Sequence, residues 1–159
     1  MKSLSIKNII WMMFICIMII IIDQATKYLA VNTLSQSVPI YTFFSLTLTF
    51  NRGISFGMFN GQQQLLLIAV AVVIIIGLIL MLIFMQSKNI IIISAIAMIV
   101  AGSIGNIIDR IIFGAVVDFL DFHYLGYYFP VFNVADSAIC LGAAIMVYGE
   151  YKLPNIQKK

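Results

Sequence analysis

Two aspartates of this sequence lie among apolar residues, where a carboxylate is poorly hydrated. Asp118 stands inside the apolar run 116–120, and Asp136 lies three residues after Asn133 on a predicted helix. Desolvation raises the pKa of a carboxyl group, and two carboxyl groups in one site hold a proton between them. The ionised member can activate water while the protonated member hydrogen-bonds a carbonyl group and then supports departure of an amine. Asp118 and Asp136 therefore predict an acid–base pair that hydrolyses a peptide bond.

Asp136 has a structural alternative, because an aspartate in the first turn of a helix stabilises the free N–H groups and the helix dipole. Asn133 is the better candidate for that cap, which leaves Asp136 about one turn inside a predicted span. An ionisable residue at membrane depth is costly and often marks a functional site. We therefore interpret Asp136 as functional.

A second group of polar residues lies near the end of a glycine-containing apolar stretch. Gly102, Asn106 and Arg110 follow one another at helical spacing, with Asp109 beside Arg110. Small residues let a neighbouring helix approach closely, so Asn106 and Arg110 are expected to point into that contact. The Asp109–Arg110 pair could also be only the charges that end a span, and both interpretations stay open.

A third pair, Asp23 and Lys27, stands four residues apart at the end of the first apolar stretch. This spacing places both side chains on one helical face and makes an ion pair geometrically available. Because charges at the end of a span can extend to the interface, structural pairing alone is a sufficient explanation.

The sequence lacks the residues that a zinc site or a nucleic-acid-binding site needs. The sequence has no H-E-x-x-H motif, and its single histidine, His123, cannot form a multi-histidine site. We therefore expect no metal and no cofactor. The nine Lys and Arg residues are dispersed, whereas nucleic-acid binding requires them clustered, so no nucleic-acid partner is expected.

The elements that position these residues are predicted from the composition. Hydrophobic residues make up 63% of the 159 residues and charged residues 9%, against about a quarter charged in soluble domains. A helix that crosses a bilayer core of roughly 30 Å needs about 20 apolar residues. Four stretches meet this requirement, at about 8–30, 65–85, 90–108 and 134–150. We expect one integral membrane domain over residues 1–159.

The charge distribution predicts how the spans are oriented. Four spans put both termini on one side, where six lysines accompany one acid, whereas the opposite side has three basic and five acidic residues. The excess of Lys and Arg marks the cytoplasmic side. Both termini are therefore expected in the cytoplasm, and the acids toward the outer face.

Two segments are expected outside the bilayer. Residues 45–50 alternate polar and apolar side chains and are followed by spaced glycines, which predicts a small β region at about 38–61. The aromatic-rich segment 122–132 is expected as an outer loop, either an interfacial belt or a gate for substrate. Asp121, before it, is expected to be a solvated loop charge. The predicted fold class is an all-α membrane protein with four transmembrane helices, a small extracytoplasmic β-sheet and an outer loop between helices 3 and 4.

Five short motifs in chain order resemble those of the lipoprotein signal peptidases (signal peptidase II). They are DQATK at 23–27, NRGISFG at 51–57, GSIGNIIDR at 102–110, VVDF at 116–119 and FNVADS at 132–137. With the four predicted spans and the matching length, the resemblance covers nearly the whole chain. Ala101 departs from the family, which often has a second glycine there, and this bears on helix packing and not on the chemistry.

The resemblance implies an aspartic endopeptidase with Asp118 and Asp136 as its catalytic dyad. It also implies residues that bind substrate or order the site, namely Asn51, Gly53, Asn106, Asp109, Arg110 and Asn133, with Asp23 and Lys27 in support. The implied substrate is a bacterial prolipoprotein with diacylglycerol on its lipobox cysteine, cleaved just before that cysteine at the cytoplasmic (inner) membrane. Membrane lipids are implied partners, and cyclic peptide antibiotics such as globomycin are implied to occupy the dyad.

Two other classes of protein compete with this interpretation. A small transporter or channel component would use its acids to relay protons or bind cations, and it predicts acids distributed through the membrane's depth. The middle of every predicted span is instead free of charge. A non-catalytic assembly subunit would not need Asp118.

Overall fold

A computed structural model describes residues 4–53, 63–85 and 89–156 of the chain. Four helices account for most of them: α1 (Ile6–Thr33), α2 (Gln63–Met85), α3 (Ile90–Phe113) and α4 (Val134–Ile156). Each contains or closely matches one predicted apolar stretch, so the four predicted helices are confirmed. In this part of the chain α1, α2 and α3 are long and apolar enough to cross a membrane, and the apolar part of α4, Val134–Gly149, is shorter.

Helix α3 is the central element of the fold. In its apolar stretch 67% of the residues are buried, against 6% in the apolar stretches of α1 and α2. Glycines allow α3 and α4 to pack backbone to backbone: a Cβ on Gly102 would collide with the carbonyl oxygen of Ala135, and one on Gly142 would come within 2.7 Å of the carbonyl oxygen of Ala95. This close packing places the polar end of α3 against the start of α4.

A four-stranded antiparallel sheet joins this polar end. Its strands, in spatial order, are β1 (Val38–Tyr41), β2 (Phe44–Asn51), β3 (Val116–Tyr124) and β4 (Tyr127–Tyr128). The register of β2 and β3 pairs Thr49 with Asp118 and Asn51 with Val116. Strands β1 and β2 confirm the predicted sheet, while residues 54–61 of the predicted β region lie outside the described residues.

Part of the predicted outer loop 122–132 is instead strand, because residues 122–124 end β3 and residues 127–128 form β4. Residues 116–119 of β3 are buried without interruption, so their side chains do not alternate between apolar and polar as those of β2 do. A strand buried on both faces cannot be recognised by a period of two. The consequence is that Asp118 and Asp121 are held in a strand, and the prediction of Asp121 as a loop charge is also wrong.

Candidate active site

Asp118 is a buried strand carboxylate with 1% of its surface exposed. Its oxygen Oδ1 accepts a hydrogen bond from Asn133 Nδ2 at 2.7 Å, and Oδ2 accepts one from Asn51 Nδ2 at 3.0 Å. Burial raises the pKa of Asp118 to about 6, and the Asp136 carboxylate adds to the rise, while the two amides oppose it. Asp118 can therefore carry a proton at a pH where an ordinary aspartate is ionised.

Asp136 lies in the first turn of α4 and is only partly buried. Its Oδ1 accepts a hydrogen bond from Asn106 Nδ2 at 2.8 Å. Its backbone N–H donates to Asn133 Oδ1 at 2.8 Å, so Asn133 caps α4 and the predicted cap is confirmed. Because Asn133 caps α4, the Asp136 carboxylate is not needed as the helix cap and can take part in catalysis.

The amides of Asn133 and Asn106 join the two aspartates into one network. Asn133 is fully buried, and its Nδ2 donates to Asn106 Oδ1 at 3.2 Å as well as to Asp118. Asn106 in turn donates to Asp136. The structure thus brings together residues that are up to 30 positions apart in the chain.

Asn51 and Gly53 form the edge of the site contributed by the end of β2. The backbone N–H of Gly53 donates to Asn51 Oδ1 at 2.9 Å, which leaves Asn51 Nδ2 directed at Asp118. Gly53 has a φ of +86°, a left-handed conformation that favours glycine. A Cβ there would also come within 2.7 Å of Leu67 Cδ1. Gly53 acts in this geometry by holding Asn51.

Lys27 is the buried cation of the site. Its ammonium group contacts three acceptors, which are Asp109 Oδ2 at 2.7 Å, Asp23 Oδ2 at 2.8 Å and Asn106 Oδ1 at 3.1 Å. The predicted Asp23–Lys27 pair is confirmed. Its explanation by side chains reaching the interface is wrong, since Lys27 is 3% and Asp23 0% exposed. Asp109 is likewise 1% exposed and pairs inside the protein, so it does more than end a helix.

Asp23 ties α1 to the start of α4. Its Oδ1 accepts a hydrogen bond from the backbone N–H of Ala135 at 2.8 Å. Sequence reasoning missed Gln24, whose Nε2 donates to Asp109 Oδ1 at 3.0 Å and to the carbonyl oxygen of Gly105 at 3.3 Å. Its only signal was its place in the DQATK motif. It also missed the backbone N–H of Val117, which donates to Asp109 Oδ2 at 3.1 Å and fixes the start of β3.

Arg110 is half-buried beside the acids. Its Nη1 donates to the backbone oxygen of Asn106 at 3.2 Å, and its guanidinium interacts electrostatically with Asp136 most strongly, then with Asp109 and Asp118. Its buried Nε has no hydrogen-bond partner among the described residues. A guanidinium next to a carboxylate pair carries several N–H donors and is suited to binding a carbonyl oxygen.

Asp121 belongs to a different cluster from the dyad. Its Oδ2 accepts a hydrogen bond from Thr47 Oγ1 at 2.9 Å, and its Oδ1 lies 3.8 Å from His123 Nδ1. Nearby, aromatic side chains of β3 and β4 surround a depression of about 530 Å³. Tyr124 and Tyr127 are 67% and 82% exposed there. The depression is lined by Phe43, Phe122, His123, Tyr124, Tyr127, Tyr128 and Phe129.

The chain has relatives of known type. The sequence model of the family described as signal peptidase (SPase) II matches residues 15–152. A lipoprotein signal peptidase of Polynucleobacter necessarius subsp. necessarius is 37% identical over 157 residues, covering 96% of this chain and 94% of the relative. One from Yersinia enterocolitica is 32% identical over 158 residues, covering 96% and 93%.

Solved structures agree with the sequence comparison. A bacterial membrane enzyme determined by the in meso method at 1.9 Å resolution superposes with a TM-score of 0.83 at 31% identity, covering 96% of this chain and 97% of that one. A second such structure, at 2.3 Å resolution, gives a TM-score of 0.80 at 31% identity, covering 95% and 92%. The chain shares its fold with these membrane enzymes, and the family model and the named relatives give the assignment. The chain belongs to the signal peptidase II family.

Proposed function

We propose that Asp118 and Asp136 are the catalytic dyad of this peptidase and that they hydrolyse the scissile bond through an activated water. The observation that carries the proposal is the network in which Asn133 and Asn106 connect two carboxylates, one of them fully buried. Such a pair keeps a proton that neither carboxylate would hold in water. One member then acts as base and the other as acid.

Family membership makes the chain a lipoprotein signal peptidase, an aspartic endopeptidase that removes the signal peptide from prolipoproteins. We propose that cleavage occurs just before a cysteine that carries diacylglycerol. The ionised aspartate takes a proton from a water molecule while the oxygen of that water attacks the carbonyl carbon. The protonated aspartate hydrogen-bonds the carbonyl oxygen. The amine then departs with a proton from the dyad.

The remaining site residues have supporting roles in this proposal. Arg110, whose guanidinium lies beside the dyad, binds a carbonyl oxygen of the substrate chain, and Asn51 holds Asp118 Oδ2. Asn106 and Asn133 orient the carboxylates. Asp23, Lys27, Asp109 and Gly53 hold those amides and the helix starts in position.

The protein is embedded in a membrane, as its apolar helices and its membrane-enzyme neighbours establish. We further propose four spans in the bacterial cytoplasmic membrane, with both termini in the cytoplasm and the dyad toward the outer face. The lysine asymmetry supports this orientation. The exposed tyrosines of β3 and β4 fit an interfacial position.

Impermeant thiol labelling of intact cells tests the orientation. In a background without Cys16 and Cys140, a cysteine at Tyr127 should be labelled and one at Lys88 should not. Labelling at position 88 with none at position 127 would reverse the topology and place the dyad on the other side.

We propose membrane lipids and cyclic peptide antibiotics such as globomycin as further ligands. A signal-peptide helix and two acyl chains reach the site laterally from the bilayer, which fits a dyad at the end of membrane helices. The alternative of a transporter or channel component is not favoured, because the buried acids of the described residues cluster at one end of the bundle.

A lipidation comparison tests the proposed substrate. Purified protein is given one prolipoprotein with and without its diacylglyceryl group, and the products are analysed by mass spectrometry. The lipidated form should yield a product that begins at the modified cysteine, and the unmodified form should be cleaved far more slowly. Equal cleavage of both forms would contradict recognition of the lipid.

A further inference from the structure

The three amides around the dyad have only one possible orientation, because each amide oxygen faces a group that cannot accept a hydrogen bond. Asn133 Oδ1 faces the backbone N–H of Asp136, and Asn51 Oδ1 faces the backbone N–H of Gly53. Asn106 Oδ1 faces the ammonium group of Lys27 at 3.1 Å. An ammonium group and a backbone N–H are donors only. Every amide NH₂ group is therefore forced toward a carboxylate.

Asn106 differs from the other two because side chains and not the backbone fix it. Its Oδ1 accepts from Lys27 at 3.1 Å and from the neutral amide of Asn133 at 3.2 Å. Its Nδ2 donates to Asp136 Oδ1 at 2.8 Å. If the amide turned over, its NH₂ group would meet Lys27 and its oxygen would meet Asp136, and both contacts would be repulsive. Lys27, the charged one of the two donors to Asn106 Oδ1, thus helps to fix the amide so that its NH₂ group and not its oxygen faces Asp136.

We propose that Lys27 is a positioning residue of the dyad, which, by holding the NH₂ group of Asn106 on Asp136, makes Asp136 the ionised base and leaves the shared proton on Asp118. The inference rests on the proposed catalytic role of the two aspartates and assigns their roles.

The surroundings of the two carboxylates support this division. Asp136 is partly exposed in the first turn of α4, where the helix dipole favours a negative charge. Asp118 is buried in β3, accepts hydrogen bonds from two neutral amides of the described residues, and has its pKa raised to about 6 by burial. Among the described residues, Arg110 from α3 and Asp118 from β3 interact electrostatically with Asp136. The Asn106 amide separates Asp136 from the ion-pair cluster of Lys27 and Asp23 from α1 and Asp109 from α3.

Asn106→Leu tests the donor and leaves Asp23 and Asp109, the ion-pair partners of Lys27, unchanged. The variant removes the amide donor that stabilises a negative charge on Asp136, so the acid side of the kcat/KM profile should move up by about one pH unit. A shift of that size lowers kcat/KM about tenfold at pH values well below the acid side of the profile. A role in packing alone would lower kcat/KM by one factor at every pH, and that outcome would overturn the proposal.

Lys27 itself is tested with the net charge held constant. The double variant Lys27→Gln with Asp109→Asn removes one charge of each sign and takes the ammonium group away from Asn106 Oδ1, which leaves the neutral Asn133 amide as its donor. The kcat/KM profile of the double variant should move to higher pH, as that of Asn106→Leu does. Combining all three substitutions should shift the profile little further. Lys27→Arg, which keeps a donor-only side chain, should leave the limb in place even if kcat falls. A profile that moves in Lys27→Arg as far as in the double variant would contradict the mechanism.

Infrared titration of the substrate-free protein locates the proton independently of cleavage. At about pH 5.5 the band of a protonated carboxyl group should be lost in Asp118→Asn and retained in Asp136→Asn. The reverse pattern would overturn the assignment even if the enzyme is active. A correct infrared pattern in a protein that cleaves no prolipoprotein would instead reject the proposed function and leave the network intact.

Discussion

A methyl group at Gly105 should destabilise the protein because there is no room for it beside Asp23. A Cβ built on Gly105 lies 2.6 Å from Asp23 Oδ2, 3.3 Å from Asp23 Cγ and 3.4 Å from the Cβ of Ala135. Asp23 cannot move away freely, since it accepts hydrogen bonds from Lys27 and from the backbone of Ala135. Gly105→Ala must therefore push α3 away from α1 and α4.

Gly77→Ala is the matched control for this substitution. Gly77 lies within α2, and nothing is within 4 Å of a Cβ built there. Both variants gain the helix preference of alanine over glycine, about 1 kcal/mol. The difference between them isolates the overpacking cost, which is about 1–3 kcal/mol for an added methyl group in a packed site.

Detergent-induced unfolding measures this difference. The only tryptophan, Trp11, donates from Nε1 to Ser94 Oγ at 3.0 Å across α1 and α3, so its fluorescence reports on that contact. Gly105→Ala should unfold at lower denaturant than Gly77→Ala, and its kcat should fall by about ten- to a hundredfold as the Asp136 carboxylate is displaced. Equal stability of the two variants would refute the close approach of α3 to Asp23.

Three further outcomes are expected. Because burial holds the proton of Asp118 up to about pH 6, kcat/KM should decline as pH rises beyond that value, and a profile that rises steadily to alkaline pH would contradict an acid in the dyad. Activity should persist in strong chelator, whereas chelator-sensitive activity restored by zinc would indicate a metal site. Asp121→Asn should keep most activity, since the amide oxygen can still accept from Thr47, and a loss as large as that of Asp118→Asn would contradict the separation of the two clusters.

The helices and the burial of Asp118 were predictable because both have strong local signals. Hydropathy over 20 residues locates a membrane helix, and an aspartate inside an apolar run is conspicuous. The cap by Asn133 and the pair of Asp23 with Lys27 followed from spacings of three and four residues. Such contacts lie within one helix or at its end, where the sequence determines the geometry.

Features that depend on tertiary contacts were not predictable. Strand β3 has no alternating pattern because its first residues are buried on both faces, so Asp121 was misplaced in a loop. Gln24 gains its role from residues 81 and 85 positions away in the chain. Burial of Lys27 could not be inferred either, because its partner Asp109 lies on another helix. The orientation of Asn106 follows from that burial and required the structure.

The most direct test of the catalytic dyad is conversion of a lipidated prolipoprotein by Asp118→Asn, Asp136→Asn and the double variant, measured by gel shift at matched protein levels. Asparagine keeps the volume of the side chain and removes its ionisation. Each single variant should abolish conversion, and the double variant should be hardly worse than either, because residues of one catalytic step act as a unit. All variants should still accumulate in the membrane. Robust conversion by a well-expressed Asp118→Asn or Asp136→Asn enzyme would contradict the dyad.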